Sequence, residues 1–88
     1  MVELSRELPQ RILELPMTQK IAYTAGGMPE YIGETAPGTA VTAKLWRIKK
    51  LTYSGTNVTD IKWASGTATY DKYWDNGAGT TYAGYTYS

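Results

Sequence analysis

Apolar and polar positions alternate most clearly between Lys44 and Asn76. Two runs stand out, Leu45-Trp46-Arg47-Ile48-Lys49-Lys50-Leu51-Thr52-Tyr53 and Val58-Thr59-Asp60-Ile61-Lys62-Trp63, joined by Ser54-Gly55-Thr56-Asn57. β-branched and aromatic residues fill both runs and turn formers separate them, which is the signal of a β-hairpin. With Tyr53 opposite Val58, an unbroken ladder sets Thr52 against Thr59, Lys50 against Ile61 and Ile48 against Trp63. Strand side chains alternate between faces, so one face would carry Trp46, Ile48, Ile61 and Trp63. The other would carry Arg47, Lys49, Leu51, Tyr53, Val58, Asp60 and Lys62. The first face is the expected core. The second is charged at one end, and its apolar tip of Leu51, Tyr53 and Val58 is expected to meet a partner.

Shorter elements flank the hairpin. Lys20-Ile21-Ala22-Tyr23-Thr24 reads as a first strand, broken by Ala25-Gly26-Gly27-Met28-Pro29. Tyr31 to Glu34 is brief and extended, and Pro37-Gly38 marks a turn. After a turn at Ala64-Ser65-Gly66, Tyr70, Tyr73 and Trp74 stand at i, i+3 and i+4, the spacing of one helical turn packed on a sheet. The same segment also fits a strand with Ala68, Tyr70 and Trp74 on one side. The expectation is an extended start and an irregular or helical turn over 70–75, with Trp74 in the core. Thr80 to Tyr87 reads as a final strand with Tyr85 and Tyr87 on one face. The predicted fold is all-β: a small barrel or sandwich of about five or six mainly antiparallel strands, with a β-domain at 20–88 and an N-terminal arm at 1–19.

The arm has its own pattern. Val2, Leu4, Leu8 and Ile12 suggest helical spacing, but Pro9 and Pro16 interrupt it, and Glu7-Leu8-Pro9 is echoed by Glu14-Leu15-Pro16. Proline removes a donor and disfavours a helical residue before it. A solvated leader with one helical turn at 9–14 is one reading. The other is a partly extended arm whose Leu8, Ile12 and Leu15 bury in a neighbouring subunit. A disordered tail is usually poorer in leucine and isoleucine than this one.

Composition narrows the chemistry. Eighty-eight residues make one domain with a small core. Such domains usually recruit disulfides, metals or association for stability. The chain has no cysteine and no histidine, which removes disulfides, thiolate metal sites, the usual zinc ligand and the usual general base. Association is the route that remains. Nine basic against eight acidic residues leave the chain near neutral, whereas a general polyanion binder is more basic. No stretch approaches a membrane span, and no apolar signal-peptide core is present. Eight tyrosines and three tryptophans with no phenylalanine point to rings that touch polar partners at one edge.

The residues offer three chemical candidates. Lys44, Arg47, Lys49 and Lys50 interleave with Trp46, Tyr53 and Trp63, and charge beside rings suits single-stranded nucleic acid. The unbroken register separates Arg47 and Lys49 from Trp46 and Trp63, so nucleic acid is not an expected partner. Asp71, Asp75 and Asn76 could offer oxygen to a hard cation, but their spacing matches no calcium loop, and such residues at turns more often cap backbone groups. Trp74 beside them could instead stack on a sugar. No Gly-x-Ser-x-Gly elbow or phosphate loop is present, so neither an enzyme nor a cofactor is expected.

Several segments together resemble a group of short proteins encoded by tailed bacteriophages. They are Tyr31 to Thr39, the Trp46-Arg47-Ile48-Lys49-Lys50 run, Asn57 to Gly66, Tyr70 to Asn76, and the ending Tyr85-Thr86-Tyr87-Ser88. Such proteins often read Trp-Asp-Asn-Arg and then run directly to the last strand. Here Gly77-Ala78-Gly79 takes the place of that arginine and lengthens the loop. The resemblance covers roughly 31–88 and leaves out the arm. It implies a small virion structural component. The expected role is non-enzymatic: copies assemble with other virion proteins, as a homo-oligomer, on the capsid, neck or tail, to stabilise the particle or attach another component. The alternative from the residues is a module that binds a glycan or single-stranded nucleic acid through a Trp/Tyr-rich sheet.

Overall fold

A computed structural model describes residues 17–88. The chain is mostly β. Strands β1 (Thr18–Tyr23), β2 (Pro29–Thr35), β3 (Arg47–Ser54) and β4 (Asn57–Trp63) form one antiparallel sheet in the order β1-β2-β3-β4. Four strands in one sheet stand among the described residues, where five or six were expected. The β3–β4 loop is Gly55-Thr56, closed by the Ser54–Asn57 pair. Gly55 comes first in it and takes φ 64°, the positive value that the opening position of a primed two-residue hairpin needs.

The hairpin register departs from the unbroken ladder. Tyr53 pairs with Val58 as expected, but Thr52 then pairs with Asp60, Leu51 with Ile61, Lys50 with Lys62 and Lys49 with Trp63. One extra residue, Thr59, is accommodated in β4 as a β-bulge, and its hydroxyl donates to the Thr52 carbonyl at 3.2 Å. A one-residue shift moves every later side chain to the opposite face. Ile61 and Trp63 therefore leave the predicted core. Ile61 is 55% exposed, and Trp63 is half-buried beside Lys49 on the other face. Trp46 and Ile48 belong to a run that needs no partner to fix its alternation, and both are fully buried.

The residues after β4 cover one face of the sheet. Lys72 bridges Trp46, and Tyr87 bridges Ala64. Between them Trp74 lies under the sheet, with its ring 6.0 Å from that of Trp46 and stacked at 4.4 Å on Tyr82. Tyr82 and Tyr87 both meet Tyr31, at 5.2 and 5.4 Å. Gly33 makes this approach possible: a Cβ there would overlap the Trp74 ring and stand 3.1 Å from Cε3 of Trp46.

Residues 70–75 take the irregular form of the expected turn, running through the Lys72 bridge with no helix. One expectation for this segment changes. The predicted final strand is instead a short 3-10 turn, Thr81–Gly84, followed by extended residues. Tyr82 and Tyr85 explain why. In a strand, positions three apart face opposite ways, whereas a 3-10 turn brings i and i+3 to one side. Both rings then pack on the same core.

The polar tips of these aromatics are satisfied by backbone. Trp46 Nε1 donates to the Ala40 carbonyl at 2.9 Å, the Tyr85 hydroxyl accepts from the Tyr73 amide at 2.9 Å, and the Tyr87 hydroxyl donates to the Tyr82 carbonyl. Burial raises the Tyr87 pKa above the usual phenol value, helped by the nearby Tyr31 and Tyr85. Among the described residues no buried side-chain nitrogen or oxygen lacks a partner. A core built of tyrosine and tryptophan holds together on that condition.

Candidate functional site

The opposite face of the sheet carries no such cover among the described residues. Its side chains follow from the register. Gln19, Glu34 and Arg47 form one row across β1, β2 and β3. Ile21, Ile32, Lys49 and Trp63 form the next, across all four strands. Leu51 and Ile61 pair beyond it, and Tyr53 and Val58 stand toward the hairpin tip. Ile21, Tyr23, Val58 and Ile61 are exposed large apolar residues. Most sheets with one solvated face put polar residues there. This one mixes aliphatic side chains with a single ionic cluster.

Glu34 anchors that cluster and is only 7% exposed. One carboxylate oxygen accepts from Arg47 Nε at 2.8 Å. The other accepts from Gln19 Nε2 at 3.0 Å and faces Lys49 Nζ at 3.5 Å. Burial pushes the Glu34 pKa upward, but the hydrogen bond from Arg47, the charge of Lys49, the hydrogen bond from Gln19 and the charge of Arg47 together hold it below the ordinary carboxylate value. The two cations also lie on rings. The Arg47 guanidinium is 5.3 Å from the Trp63 ring centre and 4.8 Å from that of Tyr70, and Lys49 Nζ is 5.6 Å from Trp63. The bulge that moved Trp63 thus places charge and ring on one face, contrary to the unbroken register. These ring faces are already occupied by the protein's own cations.

Above the ionic row, at the end of the sheet where β1 begins, lies an apolar cavity of about 240 Å³. Met17, Thr35, Ala36, Thr39, Leu45 and Tyr70 line it. Thr35 turns its hydroxyl away, donating to the Leu45 carbonyl at 2.8 Å, so the lining presents mainly carbon. Leu45 is 56% exposed.

The expected partner residues fall in three places. Val58 is exposed at the hairpin tip. Leu51 is half-buried on the uncovered face. Tyr53 is also half-buried, and its hydroxyl donates to the Pro29 carbonyl at 2.5 Å, tying the hairpin to β2. Leu8, Ile12 and Leu15 lie outside the described residues, as does the helical turn expected at 9–14. The Glu34 cluster and the cavity were not anticipated. The alternation that puts Glu34 and Arg47 on one face was readable within each strand, but their juxtaposition needed the β2–β3 pairing.

The remaining oxygen-rich candidate is a turn. Asp75 Oδ1 accepts from the amides of Gly77 and Gly79, each at 2.8 Å, and these bonds hold its pKa below the usual value. Gly77 and Gly79 take φ 108° and 87°, values that glycine tolerates. Asp71 sits apart, paired with Lys72. Among the described residues no three carboxylate, histidine or cysteine groups cluster as metal ligands would, and no helix is long and apolar enough to cross a membrane. Comparison with protein-family models, with curated proteins and with solved structures finds no match to the chain.

Proposed function

We propose that the protein is a non-enzymatic structural component of a tailed-phage virion, present in several copies that associate with one another and with other virion proteins. The observation that carries this reading is the one-sided sheet. One face is sealed by the chain's own aromatics, while the other presents Ile21, Ile61 and Val58 to solvent around a satisfied ionic cluster. An apolar face flanked by settled charges suits a permanent protein contact, because Glu34, Arg47 and Lys49 already have partners when it closes. A second layer supplied by a neighbour would turn the single sheet into a sandwich. The phage assignment itself rests on the resemblance of the Trp-Arg-Ile-Lys-Lys, Trp-Asp-Asn and Tyr-Ser segments.

Cross-linking mass spectrometry on purified particles tests the proposal. Lys49 lies on this face, while Lys50 and Lys62 in the same strands turn to the other, and links from Lys49 to a second virion protein are expected. Particles that lack the chain would defeat the reading. A second reading has its own observation: Arg47, Lys49, Trp63 and Tyr70 stand together, the combination that binds single-stranded nucleic acid or stacks on a sugar. Oligonucleotide binding that falls steeply with salt, or a tryptophan fluorescence change with sugar, would favour it.

A further inference from the structure

We propose that the cavity at the β1 end of the uncovered face is the seat for the N-terminal arm of a second copy of this chain, exchanged reciprocally between two subunits. This rests on the assembly reading above and names the partner for that face. Three observations converge on it.

The first is shape and chemistry. The cavity's volume of about 240 Å³ exceeds the roughly 150 Å³ of an engineered apolar cavity that takes benzene, so it accommodates a leucine-sized group with room to spare. Leu45 and Tyr70 in its wall are largely exposed and gain burial only if something enters. The arm carries Leu4, Leu8, Ile12, Leu13 and Leu15.

The second is reach and direction. The described chain begins at Met17, itself in the cavity wall. The sixteen residues before it span roughly 50 Å extended or 24 Å helical. Either length crosses a sheet of four strands, which is about 19 Å wide at the usual strand spacing. Pro16 restricts Leu15 to extended conformations. A tight helical reversal at Leu15, next to the cavity wall, is therefore disfavoured, which favours a neighbour's arm over the chain's own as the occupant.

The third is area. A face about 19 by 23 Å offers roughly 440 Å², while a stable interface takes about 800 Å² from each partner. Two bare faces placed together fall short. Two exchanged arms, each laid on the other copy, supply the remainder.

The absence of cysteine makes the test clean. A tagged Ile12→Cys chain is mixed with an untagged Leu45→Cys chain and treated with a short bis-maleimide. A linked mixed dimer is expected, and an Ile12→Cys/Leu45→Cys double variant should link between chains. A double variant that closes within one chain overturns the exchange and gives the cavity to the chain's own arm. No link in either sample overturns the seat altogether. Independently, Leu45→Asp in the full chain should leave the circular dichroism unchanged and raise the dimer dissociation constant about tenfold or more. An unmoved constant counts against the proposal. Particle incorporation is scored in parallel, which separates the two ideas. Incorporation without cross-links leaves the virion reading standing and the exchange refuted. Cross-linked dimers absent from particles support the exchange and refute the virion role.

Discussion

The two faces of this sheet come from the same four strands and differ in how they are finished. The covered face is built on rings whose single polar tips find backbone partners: Trp46 with Ala40, Tyr85 with Tyr73, and Tyr87 with Tyr82. The uncovered face is built on aliphatic side chains around one carboxylate, which Arg47 and Lys49 neutralise and Gln19 hydrogen-bonds. Both are partly apolar, so hydrophobicity alone does not separate them. The difference lies in what each polar group needs. Ring tips are satisfied by the chain that covers them, whereas the ionic cluster is satisfied within the sheet and so remains stable whether or not a partner arrives.

The sharpest way to break this comparison is Trp46→Ala. The side chain is fully buried in the ring cluster, and its loss should cost about 3–5 kcal/mol, as for other large core aromatics. Equilibrium urea unfolding measures it. A loss under about 1 kcal/mol would show that the covered face is not the core. Next comes Gly33→Ala. The added methyl meets the Trp74 ring, and overpacking of this kind costs about 1–3 kcal/mol. A neutral result in thermal melts would mean that Trp74 does not lie against β2.

On the other face, the Glu34 pKa is held below its ordinary value. A group with a lowered folded-state pKa stabilises the fold fully above its unfolded pKa, and that contribution disappears as pH falls through the folded value. Glu34→Gln should therefore cost on the order of 1 kcal/mol near neutrality, and the gap from the parent should close on acidification below the ordinary value of 4.5. Stability curves across pH 3–7, about the range over which carboxylates titrate, test this. A gap that stays constant would remove the cluster from the energetics. The smallest effect belongs to Ile61→Thr, which should change stability by no more than about 0.5 kcal/mol. A loss approaching that of Trp46→Ala would restore Ile61 to the core and refute the bulge.

Much of the covered face was legible in the sequence. Trp46 and Ile48 lie two apart in one strand, so their shared face needs no knowledge of the partner. Trp74 was readable as a core ring, although its route under the sheet was not. Ile61 and Trp63 were misplaced because a bulge leaves no mark on the two-residue period of either strand. Thr59 looks like any strand threonine, and only the pairing shows that it is the extra residue. The last segment misled differently. Thr80 to Tyr87 has strong β propensity, but packing Tyr82 and Tyr85 on the same core overrides it. On the uncovered face, the Glu34 cluster joins residues thirteen to fifteen positions apart, a distance that no local pattern encodes.

The cover's position in the chain has a consequence for biosynthesis. Tyr82, Tyr85 and Tyr87 all follow the last strand, and Trp63 exchanges backbone hydrogen bonds with Ser88. The ribosomal exit tunnel still holds β4 while the residues after Trp63 are being added, so the sheet and its cover can form only once the whole chain is released. From release until Tyr82, Tyr85 and Tyr87 dock, Trp46 and Ile48 lack the rings that seal them, and exposed apolar strands of this kind are prone to aggregate. A chaperone that holds apolar strands would find its target in β3.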